Sequence, residues 1–147
     1  MHSLRGFLRA RDGAAAIEFA IVAVPLILLI FGTIEMGRMF FTQQALQEVA
    51  ISGARCAAVP HPSCRIDGVV SADQTVTVVR RAAAIKGLAV SSGDIDVDLN
   101  AQCSGISGFV RVSLNYTFQS AVSGLVDSLA IAPVLTASAC FPRQPTV

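Results

Sequence analysis

One stretch constrains this chain before any other: residues 14–33 run almost wholly apolar, and Glu18 is the only charged residue between Asp12 and Glu35. About 20 consecutive apolar residues are what a helix needs to cross the hydrocarbon of a bilayer. The chain has 147 residues, 53% of them hydrophobic, which is more apolar surface than one modest core absorbs. A membrane is the destination this excess implies. Arg5, Arg9 and Arg11 precede the run, so the positive-inside rule keeps the N-terminus cytoplasmic and sends the residues beyond about 35 across the membrane. The expected topology is a single pass, with the C-terminal part on the far side of the membrane. Cys56, Cys64, Cys103 and Cys140 all follow the run, which agrees with an oxidising compartment on the far side.

Charge and composition then exclude several function classes. Eleven basic residues against ten acidic leave a net charge of +1, so no global field argues for nucleic acid as a partner. The histidines are His2 and His61, and the scarcity of this usual general base disfavours catalysis. Ser63, Ser71 and Ser91 would all have to share His61 as a base. No enzyme, cofactor or small-molecule substrate is expected. No metal is expected either, because the cysteines form no CxxC pair and Asp94, Asp96 and Asp98 alternate along one strand face without the loop glycine or distal glutamate of an EF-hand. Arg80, Arg81 and Lys86 read as the wet side of a helix.

A secretory signal would place a small-x-small cleavage site after the apolar run, where Gly32-Thr33-Ile34 fits poorly. The better small-residue signal stands before it, at Gly13-Ala14, and cleavage there leaves the helix whole. The segment Gly13-Ala14-Ala15-Ala16-Ile17-Glu18-Phe19 resembles the processing site of Flp-type prepilins and TadE-like pseudopilins: a glycine, four residues, a glutamate and an aromatic. The likeness continues through Phe31-Gly32 and Glu35-Met36-Gly37-Arg38 to Ala54-Arg55, covering roughly the first 60 residues, with Phe19 where Flp-type pilins often carry tyrosine. The resemblance implies cleavage after Gly13 by a membrane aspartic prepilin peptidase. It also implies partnership with other pilins, pseudopilins and assembly proteins of a tight-adherence pilus, and a place in the bacterial inner membrane with the C-terminal part periplasmic or carried into an extracellular pilus.

The glutamate has a chemical rationale. A carboxylate at the centre of a bilayer costs on the order of 2.5 to 3.5 kcal/mol on insertion scales, less near an interface, and needs a partner. Cutting after Gly13 gives Ala14 a free ammonium one helical turn before Glu18. That amine can pair with Glu18 within a subunit or between neighbours, and the second arrangement penalises subunits out of axial register. The plainer reading is a glutamate near a helix end that snorkels to the headgroups.

Past the run, Glu35 and Arg38 stand three apart and can pair where the helix leaves the membrane. Leu46, Val49, Ala50, Gly53, Ala54 and Ala57 then fall on one helical stripe. Pro60 and Pro62 stop the helix near Val59, and Pro25 permits a kink inside it. Residues 71–87 read as a second amphipathic helix closed by Gly87. Residues 94–99 and 109–116 alternate as the strands of a hairpin about the turn 103–108, with a third strand over 134–140 and a connecting helix or loop over 125–131. Four cysteines permit three pairings. The favoured one joins Cys56 to Cys64 across Pro60-His61-Pro62 and Cys103 to Cys140 between strands, free buried thiols being the alternative.

The expected fold is α+β: a long N-terminal helix, then a small pilin-like domain with a short helix and an antiparallel sheet of three strands or so. Its divisions are a leader over 1–13, a transmembrane part over 14–34, an amphipathic continuation over 35–59 and an exported domain over 60–147. The expected function is structural, that of a minor pilin or pseudopilin. A major pilin is disfavoured by the nearly 90 residues beyond Pro60. The runner-up is a single-pass, signal-anchored binding or sensor module that retains its leader.

Overall fold

The structure is a computed structural model that describes residues 12–59, 61–120 and 133–144. The leader arginines, Pro60 and the connecting segment 125–131 lie outside the described residues. The elements are helix α1 (Asp12–Ala58), strands β1 (Arg65–Ile66) and β2 (Val69–Val70), helix α2 (Ala72–Ile85), and strands β3 (Ile95–Cys103), β4 (Ile106–Thr117) and β5 (Val134–Pro142). The chain divides into two compact units, one ending at Gly37 and the other beginning at Arg38.

In the first unit α1 runs through Pro25 without a break in helix assignment, and its apolar side chains are bare: Ile17, Phe19, Leu29 and Phe31 are all more than half exposed. Among the described residues this is the one helix long and apolar enough to cross a membrane, by length and composition.

The second unit is built on the remainder of α1. Leu46, Val49, Ala50, Gly53, Ala54, Ala57 and Ala58 are buried, which is the stripe read from the helical period. Leu46, Val49, Ala50 and Ala54 pack with Val79 and Ala83 of α2 and with Ile95, Val112, Leu114 and Ala137 of the sheet, while Ala57, Ala58 and Val110 form a smaller cluster. Gly53 marks the closest approach. A methyl group there would overlap Val79 Cγ2 and lie 3.6 Å from Val112 Cγ1.

Local chemistry fixes the ends of α2. Ser71 caps its start by accepting from Gln74 N at 3.4 Å. At the other end Gly87 takes φ +75°, with Gly87 N donating to Ala84 O and Leu88 N to Ala83 O, the paired bonds of a Schellman ending that tucks Leu88 into the core.

The sheet is an antiparallel meander in the order β3-β4-β5. Its hairpin turn is tighter than the sequence suggests. Ser104 and Gly105, with φ of 53° and 82°, close it in two residues, and Gly108 (φ 90°) sits inside β4 rather than at its start. Ala101 pairs with Phe109, one residue out of the register that holds both at Asp98–Arg111 and at Cys103–Ile106. The extra residue on β3 is thus offset by one on β4 nearer the tip. Side chains satisfy carbonyls in this irregular stretch: Arg143 donates to Leu99 O at 2.7 Å and Arg111 to Gln102 O. Asp94 departs from the expected strand face, because Ser92–Asp94 is a 3-10 turn and β3 begins at Ile95.

β5 is an edge strand, and α1 covers part of its edge. Gln43 Nε2 donates to Thr136 O at 2.7 Å and Gln47 Nε2 to Ser138 O at 3.0 Å. Four residues of helix rise about 6 Å and two residues of strand about 6.6 Å, so the two spacings match.

Gly53→Ala is expected to destabilise the folded unit by about 1 to 3 kcal/mol, because Val79 is stiff and fully buried. Urea unfolding of the detergent-solubilised chain measures this. Adding Val79→Ala should make the glycine substitution nearly neutral, and failure of that rescue would show that the contact is not the cause.

Candidate processing and assembly site

Gly13, Ala14, Glu18 and Phe19 all lie on α1, in its first described turns. A side chain built at Gly13 meets nothing within 4 Å, so the fold itself asks for no glycine there. Glycine lowers helix stability by about 1 kcal/mol relative to alanine, which eases local unwinding of the Gly13–Ala14 bond for any protease that needs an extended substrate. Ala14 and Glu18 are four apart and so share a helix face, about 6 Å along the axis. Glu18 is exposed, Phe19 is 75% exposed, and among the described residues Glu18 makes no hydrogen bond or ion pair.

The part of α1 within the second unit holds polar groups of its own. The Arg38 guanidinium stacks 5.6 Å from the centroid of the Phe118 ring, which is buried at the same end of the sheet as Val134. Phe40 and Phe41 on the same helix are more than 60% exposed. Lys86 reaches Glu48 at 2.6 Å and Arg80 reaches Ser92 Oγ at 3.1 Å, so the basic residues of α2 face different partners. Asp98 Oδ1 accepts from Asn100 N at 2.9 Å, a use within the bulged strand. Among the described residues no three His, Cys, Asp or Glu side chains gather into a cluster.

The far end of the unit is covalently closed. Cys56 bonds Cys64, joining the end of α1 to the 3-10 turn Pro62–Cys64, and Cys103 bonds Cys140, joining β3 to β5. Two strands flanking a third stand about 9.5 Å apart in a flat sheet. The Cα atoms of Cys103 and Cys140 are 6.5 Å apart, so the hairpin tip must bend across β4, and the bulges allow that bend. His61 Nδ1 accepts from Ser63 N at 3.3 Å and lies 3.9 Å from Cys56 Sγ, which gives this histidine a turn-forming place. Sequence reasoning missed Gln43, Gln47, Arg65 and Arg143. The two glutamines stand at helical spacing, but nothing local says that a strand edge lies opposite them.

Loop closure makes the two bridges unequal. With separations of 37 and 8 residues, removing Cys103–Cys140 by paired alanine substitution should cost about 1 kcal/mol more than removing Cys56–Cys64. Guanidinium unfolding of the two variants compares them, and the reverse order would refute the chain-entropy account here.

Residues 13–55 match the family model of TadE-like protein. No curated protein and no solved structure matches the chain.

Proposed function

From the TadE-like character of residues 13–55 we propose that this chain is a minor pilin or pseudopilin of a tight-adherence pilus, cleaved after Gly13 and held by α1 in the membrane or the filament. The observation that carries this reading is the order Gly13, Glu18, Phe19 at the head of an apolar helix whose side chains are bare. In this reading residues 1–13 are a leader, 14–34 the transmembrane part, 35–59 its continuation and 60–147 an exported domain. The prepilin peptidase and other pilins are its partners, and its role is structural rather than catalytic.

Cleavage would place the new ammonium of Ala14 at the positive end of the helix dipole, an unfavourable position for a cation. Glu18, one turn on, offsets that charge and is itself stabilised by the same dipole. Pairing between neighbouring subunits would satisfy both groups only in one axial register, since an uncompensated charge among apolar helices costs several kcal/mol. At the other end of the span, Phe40 and Phe41 lie beside Arg38, a combination suited to the headgroup boundary.

Gly13→Leu should block processing, and intact-mass measurement of the membrane-extracted protein should then find residues 1–13 still attached. A wild-type protein that itself retains them in piliated cells would overturn the reading in favour of a signal-anchored sensor or binding module. Glu18→Ala should insert into the membrane normally but disturb processing or piliation. Normal pili in that variant, counted by electron microscopy, would refute the role given to the carboxylate.

A further inference from the structure

At the disulfide-closed end of the second unit is an open cleft of about 540 Å³, lined by Ala57, the β1–β2 hairpin, Leu99 and Asn100 of the bulge, and Arg143 and Gln144. This lies within the range of small-ligand sites. Two arginines from distant parts of the sequence meet there. Arg65 Nη1 donates to Gly68 O at 2.6 Å and Arg143 Nη2 to Leu99 O at 2.7 Å, both carbonyls belonging to lining residues. Each guanidinium is therefore braced by a neutral main-chain oxygen, which fixes its direction without cancelling its charge.

No acid lines the cleft among the described residues. Asp67 stands exposed in the β1–β2 turn outside it, and Asp98 is engaged with Asn100 N. Arg65 is half-buried, and its Nε is shielded from solvent with no acceptor among the described residues, so the fold leaves this cation only partly satisfied. Asn100 and Gln144 add side-chain amides, while Ala57, Val69, Val70 and Leu99 add hydrocarbon.

We propose that this cleft is a carboxylate-binding site, receiving an acidic side chain carried by an apolar-flanked segment of a partner polypeptide. A guanidinium presents its N–H groups in a planar fork that matches the two oxygens of a carboxylate, and bracing on carbonyls removes much of the ordering cost of binding. The hydrocarbon walls suit the neighbours of such a residue better than they suit a free, fully hydrated anion. The inference goes beyond the pilin reading and does not rest on it, because the cleft is distant in sequence from Gly13 and its chemistry is the same with or without the leader.

The test uses the full chain in zwitterionic detergent micelles at constant ionic strength, observing arginine Nε–H resonances by NMR. The probes are a blocked Val-Glu-Val peptide, its Val-Gln-Val counterpart and inorganic phosphate. The glutamate peptide should shift Arg65 and Arg143 saturably while leaving Arg80 and Arg81 unmoved, and the glutamine peptide should bind at least about tenfold more weakly. Arg65→Gln and Arg143→Gln should each weaken binding by a similar factor. Asn100→Asp should do so with both arginines retained, which guards against a loss caused by unfolding. Equal affinity for the two peptides, uniform shifts across all arginines, or phosphate saturating the same resonances at lower concentration than the glutamate peptide would each overturn the proposal.

Discussion

The small side chains of α1 between Ala50 and Ala58 are the constraint on which the second unit depends. A helix carrying large residues there would hold α2 and the sheet apart, and neither could then bury its own apolar face. With Gly53 and the alanines in place, Val79 and Val112 reach the helix surface and a single core forms from three kinds of element. The interaction is dispersion at close range, so it is sensitive to one added methyl group in a way that a looser interface is not. The same helix carries large, bare apolar residues before Gly37, where no other part of the described chain covers them. One helix thus serves two surroundings, and the change in side-chain size along it marks where they meet.

Much of this was legible in the sequence because it depends on periodicity and on strong local signals. The buried stripe from Leu46 to Ala57 follows from spacing alone, and Ser71 and Gly87 bracket α2 by known capping chemistry. Two of the three strands follow from alternation, and of the three cysteine pairings open to the sequence the favoured one, Cys56–Cys64 with Cys103–Cys140, is the one the fold forms. What escaped depends on tertiary context. The β1–β2 hairpin is too short to show a period, and the cancelling bulges have a local mark only in Gly108. Asp94 looked like a third member of an alternating face because sequence cannot show that Ser92–Asp94 turns before the strand begins.

The site divides in the same way. Gly13, Glu18 and Phe19 are recognisable as a pattern because they lie in one linear segment, at fixed offsets before an apolar run. The arginine cleft is not, since Arg65 and Arg143 come together only through the fold of the hairpin and the end of β5. Nor does the sequence reveal that Lys86, which reads as part of a solvated basic face, reaches across to Glu48 on another helix. Both partners are substantially exposed, so that ion pair is an orienting contact of at most modest strength.

The glutamine contacts between α1 and β5 carry a consequence for self-association. An unprotected strand margin is a template on which identical chains stack without limit. Here Gln43 and Gln47 occupy acceptors on one margin, while Asp96 and Asp98 put negative charge along the strand that forms the other. Runaway fibrillation through the sheet is thereby discouraged on both flanks.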